Sequence, residues 1–270
     1  MAIVLDNITY TYGVGTPFEK TALKGISVTI ENGEFLGIIG HTGSGKSTFV
    51  QHLNGLLHPT TGKVTVNGVD VSEKTDEAKH MRHKVGMVFQ YPEHQLFEET
   101  IAEDIAFGPK NLGLDAEEVD RRVREAMAFV GLDYDTYAER SPFHLSGGQM
   151  RRVAIAGVVA MEPDFLVLDE PSAGLDPFGR EEIFDEIIKL HKEKDVTVIL
   201  VSHNMEDISR MANRLIVLDK GQIVLDGKPL DIFNHHRHVL QQVGVDVPPV
   251  SVLIELLRNR GLDAVSYTHL

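Results

Sequence analysis

The chain has 270 residues, 42% of them hydrophobic and 24% charged: enough apolar material for a real core and too ordinary a charge content for pervasive disorder. It has no cysteine, which excludes disulfides, thiolate zinc sites, iron–sulfur clusters and Cys nucleophiles, and fits a reducing compartment. Forty acids against 26 bases give −14, the wrong balance for a broad DNA- or RNA-binding surface, and the longest apolar run, 153–161, falls well short of the ~20 residues of a membrane-spanning helix.

Residues 1–13 carry Asp6, and no basic residue precedes Lys20. A signal peptide does not begin this way, so the chain is expected to be soluble and cytoplasmic. Short β-branched runs then predict strands at 26–30 and 35–39, with a helix at 46–56 and strands at 63–66 and 85–89. Between Gln90 and Glu162 the pattern is helical, at 116–130 and 149–161, with no convincing strand. An apolar strand at 165–168 ends in Asp169 and Glu170. A helix at 180–192, a strand at 197–201, a helix at 205–212 and strands at 215–218 and 223–225 continue the alternation. Segments 165–168 and 196–201 are nearly continuous apolar runs, as expected of strands covered on both faces.

This is the pattern of an α/β fold with a mostly parallel sheet and an antiparallel β region. The expected organisation is an α/β core at 1–90 and 162–228, an inserted helical subdomain at 91–161, and a C-terminal helical extension at 229–270. Val250, Leu253, Ile254 and Leu257 recur at helical spacing in that extension and give one apolar stripe, which either packs on its own core or meets a second chain. His235, His236 and His238 lack a nearby cysteine or strong carboxylate set and do not read as a metal site. Residues 266–270 fit no element.

Gly40, His41, Thr42, Gly43, Ser44, Gly45, Lys46 and Ser47 fit G-x-x-x-x-G-K-[ST], between a predicted strand and a predicted helix. Glycines let the backbone wrap so that successive N–H groups face phosphate oxygens, and the helix N-terminus adds partial positive charge. Lys46 is expected at the β and γ phosphates and the Ser47 hydroxyl on Mg²⁺, with Thr48 closing the nucleotide set. Asp169 is placed to hold Mg²⁺ directly or through water, and Glu170 is a candidate general base for the attacking water. Leu145, Ser146, Gly147, Gly148 and Gln149 form a second glycine pair feeding a helix N-terminus. One chain therefore carries two anion nests and one complete phosphate-and-metal set. Either two ligands bind, or the second nest completes a nucleotide held by another subunit.

The pentapeptide L-S-G-G-Q, after a P-loop and before a D-E strand, resembles the signature sequence of the ABC ATPase family. The resemblance implies a P-loop NTPase core of the RecA-like kind that binds and hydrolyses ATP. Tyr12 looks like the aromatic on which the family stacks adenine, with Phe18 as a lesser candidate. Gln90 resembles the Q-loop glutamine that senses Mg²⁺ and the attacking water. Ser172, Ala173, Gly174, Leu175 and Asp176 resemble the D-loop, which crosses between subunits. His203 resembles the switch histidine at the γ-phosphate. The family pairs two such subunits head to tail, so that Ser146, Gly147, Gly148, Gln149 and Asp176 would serve the partner subunit's ATP.

The stretch from Phe89 through Thr100 to Pro109 closely resembles ATPase subunits of energy-coupling factor (ECF) transporters, membrane importers of vitamins and some metal ions. Gly15, Thr16, Pro17, Phe18 and Glu19 look like the second of the two related ATPase subunits of the shared vitamin module. The resemblance implies a related ATPase subunit as partner, in a heterodimer or a homodimer, a transmembrane T component, a substrate-binding S component reached through the complex, and a peripheral place on the cytoplasmic face of a prokaryotic cell membrane. The extension resembles the one through which these ATPases dimerise, although 266–270 depart from its charged helical end. Glu93, Glu98, Glu99, Glu103 and Asp104 are expected to dock arginines of the T component. The alternatives are an ATPase of a dedicated cobalt/nickel or biotin importer, or a non-transport ABC ATPase acting on DNA or ribosomes. The last usually carries a coiled coil, zinc-binding cysteines or a second ATPase domain, and none is found here.

Overall fold

A computed structural model describes residues 1–173, 175–245, 247 and 248, with the side chains of Pro92 and Glu93 outside that description. In chain order the elements are β1 (Ala2–Tyr12), β2 (Lys20–Glu31), β3 (Phe35–Ile39), α1 (Lys46–Leu53), β4 (Thr61–Val66), β5 (Val69–Asp70), α2 (Asp76–His83), β6 (Val85–Val88), α3 (Ile101–Asn111), α4 (Ala116–Phe129), α5 (Tyr134–Tyr137), α6 (Gly147–Val159), β7 (Phe165–Asp169), α7 (Pro177–Lys194), β8 (Thr197–Val201), α8 (Met205–Met211), β9 (Arg214–Asp219), β10 (Gln222–Gly227), α9 (Pro229–His235) and α10 (Arg237–Gln242). The chain divides into two compact units, Met1–Lys79 with Thr197–Leu270, and His80–Val196.

The first unit contains two sheets. One is antiparallel, in the order β2-β1-β4-β5. In the other, β3 pairs in parallel with β8 on one side and β9 on the other, and β10 returns antiparallel to β9. All five residues of β3 and of β8 are buried, as their nearly continuous apolar sequence requires for strands covered on both faces. Gly37 marks where α8 crosses β3: a Cβ there would lie 3.0 Å from Ile208 Cδ1 and 3.2 Å from Ala212 Cβ. Arg214 fastens the sheets together, donating to Thr29 O at 2.8 Å, to Glu34, and through its fork to Asp226. Those carboxylates push the guanidinium pKa up.

β1 and β5 are additional to the strands expected from sequence, and β2 begins six residues earlier than the pattern indicated. The alternation of β1 is interrupted at Asp6 and Asn7, where the register with β2 shifts and Asn7 takes a left-handed φ of 46°. A bulge of this kind removes the period-two signal that marks a strand.

In the second unit β6 and β7 pair in parallel. Gly86 lets α6 approach, since a Cβ there would be 2.6 Å from Val158 Cγ1. α3, α4 and α6 bury Ile101, Ile105, Val119, Val123, Met127, Val153 and Ile155. At about 1.5–3 kcal/mol per fully buried large apolar side chain, this cluster holds the helices together. α3 is masked in sequence by Gly108 and Pro109, poor helix formers near its end. Gly108 lies against the Met161 side chain: a Cβ there would sit 2.7 Å from Met161 Cγ, so that side chain would have to shift.

The C-terminal extension begins with α9 and α10, and His235, His236 and His238 are exposed. The apolar stripe at 250–257 and residues 266–270 lie outside the described residues, as does Gly174. Among the described residues, no helix is long and apolar enough to cross a membrane, and no group of three His, Asp or Glu side chains is arranged to hold a metal ion.

Candidate active site

The phosphate loop lies in the first unit, between the carboxyl end of β3 and the start of α1. Gly43 and Gly45 adopt φ of 82° and 108°, backbone that side-chain-bearing residues avoid. Gly40 is demanded by packing, because a Cβ there would lie 2.3 Å from Leu218 O and 2.6 Å from Ser44 Oγ. Ser44 is fully buried. Lys46 is 7% exposed and turns its ammonium onto the loop, donating to Gly40 O at 2.6 Å and His41 O at 3.1 Å. Thr42, Gly43 and Ser47 are exposed, and Thr48 is buried.

Tyr12, the last residue of β1, is 42% exposed, and its hydroxyl shares a 3.1 Å hydrogen bond with Thr48 Oγ1 on α1. Its ring meets Tyr10 edge-on at 4.8 Å, and Tyr10 meets His52 edge-on at 4.9 Å. The candidate base platform is thereby registered to the helix that begins at the phosphate loop. His52 is fully buried; its Nδ1 hydrogen-bonds Thr48 O at 2.7 Å, and burial pushes its pKa down. Burial, with Tyr12 adding to it, pushes the Tyr10 phenol up. Phe18 is 88% exposed in the β1–β2 connection. His203 is exposed, two residues past β8 and next to Asn204, which caps α8 by accepting from Glu206 N and Asp207 N.

The second unit holds the remaining candidates. Asp169 ends β7 and is 6% exposed. Glu170 follows it in a left-handed conformation with φ of 53°. Such backbone costs about 1–3 kcal/mol in a non-glycine residue and persists where the surroundings over-determine it, often at functional sites. Gln90 is exposed just beyond β6.

Ser146 caps α6 in a reciprocal capping box with Gln149: Gln149 N–H donates to Ser146 Oγ at 3.3 Å, and Ser146 N–H donates to Gln149 Oε1 at 3.1 Å. The helix therefore starts at Gly147, two residues before the start read from sequence. The first N–H groups of a helix have no partner within it, so Gly147 and Gly148 present donors at this end. Asp176 caps α7, its Oδ1 accepting from Gly179 N at 2.7 Å.

Sequence reasoning missed Arg151. It is 4% exposed and donates to Gln90 O at 3.2 Å and to Ala173 O. One buried guanidinium on α6 thus holds the backbone both just beyond β6 and in the turn between β7 and α7, the segments expected to be the Q-loop and the D-loop. Nothing local announces this, because the acceptors lie 61 and 22 residues away.

Of the expected docking acids, Glu99 and Glu103 are exposed and Glu98 is half-buried. Glu103 also forms a capping pair with Thr100 at the start of α3. Asp104 Oδ2 accepts from Phe97 N at 2.9 Å and Glu98 N at 3.0 Å, so that carboxylate shapes the loop before α3. Glu93 lies in a short 3₁₀ turn, Pro92–Gln95. The same surface carries an edge-to-face pair, Phe97 and Phe107 at 4.8 Å, 56% and 44% exposed, which the charge pattern did not reveal.

The ABC transporter family profile matches residues 23–173. The energy-coupling factor transporter ATP-binding protein EcfA2 of Clostridium perfringens is 56% identical over 263 residues, covering 97% of this chain and 92% of the relative. Its namesake from Clostridioides difficile is 51% identical over 263 residues, covering 97% and 91%. Among solved structures, cbiO1 of Clostridium perfringens, part of the ABC transporter complex cbiONQ, superposes with a TM-score of 0.76 at 34% identity, covering 94% of this chain and 98% of that one. The dimeric ATP-binding cassette MJ0796 in a post-hydrolysis state with ADP and Pi gives a TM-score of 0.76 at 32% identity, covering 84% and 98%.

Proposed function

The chain belongs to the ABC transporter family of ATPases, and from that membership we propose that it is the ATP-hydrolysing subunit of an ECF-type importer, working against a related ATPase subunit beneath a transmembrane T component. The proposed place is the cytoplasmic face of the cell membrane, with the solute chosen by an S component and not by this chain.

ATP's phosphates take the loop from Gly40 to Thr48, where backbone N–H groups and the α1 N-terminus favour anions and Lys46 opposes the charge of the β and γ groups. Tyr12 stacks the base. Ser47, Asp169 and Gln90 offer only oxygen donors, the set that suits a hard cation, and Mg²⁺ bound by them would neutralise charge on the phosphates. Glu170 orients the attacking water and draws off its proton. His203 contacts the γ-phosphate and registers its departure.

The observation that carries the two-subunit reading is Gly147. It is helical, without a positive φ, and among the described residues no heavy atom outside its chain neighbours and own helix backbone lies within 4 Å of where its Cβ would be. Among the described residues, beyond its chain neighbours and its own helix backbone, nothing crowds position 147, which leaves room for a phosphate to approach the helix N-terminus from another subunit. Ser146, Gly147, Gly148, Gln149 and Asp176 accordingly face the partner subunit's nucleotide. Arg151 connects that nest to the Q-loop and D-loop backbones, which gives hydrolysis a rigid route to the docking segment.

Glu98, Glu99 and Glu103 around the Phe97–Phe107 pair suit a basic, partly apolar coupling helix of the T component. Reversing Glu98 and Glu99 to lysine should weaken assembly at physiological salt, and unchanged co-purification would remove this docking assignment. The central test is Glu170→Gln in the assembled complex. ATP binding should persist while steady-state hydrolysis falls by roughly 10²–10⁴-fold, the range of general-base catalysis. Turnover at the unmodified rate would overturn the catalytic reading.

A further inference from the structure

The pattern G-x-x-x-x-G-K-[ST] leaves its second position open, and here His41 fills it. Its ring is clasped on both sides. Nδ1 is 2.7 Å from the carbonyl oxygen of Thr42, and Nε2 is 2.9 Å from Oδ1 of Asp219. The ring is thus held between two acceptors, the Thr42 peptide carbonyl on one side and the Asp219 carboxylate on the other.

Asp219 is the last residue of β9, and the turn it opens holds the phosphate loop at two further points. Gly221 N–H donates to Ser44 O at 2.9 Å. Leu218 O fills the space a Gly40 side chain would need. The turn is itself braced, because Gly221 O accepts from Lys24 N at 2.8 Å, and a Cβ on Gly221 would lie 2.3 Å from Ala22 O. Lys220 reaches the other Asp219 oxygen at 4.0 Å but is 78% exposed, and it adds little.

We propose that His41 and Asp219 form a positioning clamp for the phosphate loop and so set the affinity for the nucleotide triphosphate; this rests on the reading of the loop as ATP's phosphate site. Two consequences of the geometry carry it. The Thr42 carbonyl is drawn to the imidazole, and because the peptide is planar and trans, the Gly43 N–H of the same unit points the opposite way. One donor of the anion nest is thereby oriented before any phosphate arrives. The clamp also fixes the His41 carbonyl, one of the two on which the Lys46 ammonium rests. Preorganisation of this kind strengthens binding without taking part in the chemistry.

The experiment measures ATP affinity of the full-length chain by calorimetry and steady-state ATPase of the assembled complex for Asp219→Ala, Asp219→Asn, His41→Gln and the double variant. Asp219→Ala should raise KM for ATP roughly five- to twentyfold, as for loss of one charge-assisted, partly exposed hydrogen bond, with kcat changed less than twofold. Asp219→Asn should recover most of the affinity, since its amide oxygen still accepts from Nε2. The double variant should be no worse than the weaker-binding single, as two halves of one device are not additive. If Asp219→Ala does not fold, His41→Gln is read by the same criteria. A KM within twofold of the unmodified protein, a fall in kcat at constant KM, or additive effects would each overturn the clamp. Lys46→Ala separates this from the underlying assignment: normal ATP binding there would refute the phosphate site itself, whereas lost binding beside an unaffected Asp219→Ala would refute only the clamp.

Discussion

Replacing Gly147 by alanine tests whether the second nest faces outward to another subunit. Among the described residues the added methyl meets nothing within 4 Å outside its chain neighbours and own helix backbone, and the residue sits at the first position of α6. Removing glycine from a helix gains up to about 0.5–1 kcal/mol, chiefly by narrowing the unfolded ensemble. For a chain of this size that corresponds to a rise of about 2–4 °C in Tm at most. ATP binding by the isolated chain should not change, because the loop from Gly40 to Thr48 belongs to the other compact unit. Turnover of the assembled complex should fall by about 10²–10³-fold, the usual cost of displacing one backbone donor from a charge-stabilising site. Scanning calorimetry, nucleotide titration and steady-state hydrolysis on one preparation give the three readings. A stable variant that binds ATP and turns over within threefold of the unmodified protein would refute the reasoning. A destabilised variant would refute it in another way, by showing that position 147 is not open in the folded chain.

Arg151→Met should cost about 1–3 kcal/mol in denaturant unfolding, because the part-buried Gln90 and Ala173 carbonyls lose a charged donor, and a cost below about 0.5 kcal/mol would show these contacts to be dispensable. Burial holds the His52 imidazole below its ordinary pKa, so the unfolded chain takes up its proton first as pH falls. Stability should therefore decline on acidification through the ordinary histidine range, more steeply than in His52→Gln; parallel pH profiles of the two proteins would contradict this. Gly40→Ala should abolish ATP binding and lower Tm, since the methyl would stand 2.3 Å from Leu218 O and no side-chain rotation relieves a backbone clash.

The motifs were legible because each works through its own few residues. The glycines at 43 and 45 need left-handed backbone, and an anion nest is made by consecutive N–H groups, so the loop announces itself without its surroundings. The same holds for Ser146 and Gln149, whose capping box closes over three residues, although the helix starts two residues earlier than expected. β7 and β8 were also readable, since burial on both faces leaves a nearly continuous apolar run. β1 was not, because its bulge at Asp6 and Asn7 breaks the alternation, and α3 was hidden by a glycine lying against Met161 and a proline beside it.

Sequence alone therefore determined the family and its motifs, and the order in which the candidate phosphate-contacting residues come along the chain. Only the tertiary structure decided which polar groups are committed to holding the backbone. Asp104 and Asp176, read as contact residues, are also caps of local turns, and Arg151, unremarked in sequence, spans three motifs. His41 reads as one more loop residue until Asp219, 178 residues away, is found against its ring. The reason is physical. A short motif is set by the allowed dihedrals of adjacent residues, whereas a hydrogen bond between distant ones exists only after the strands and helices that carry them have packed.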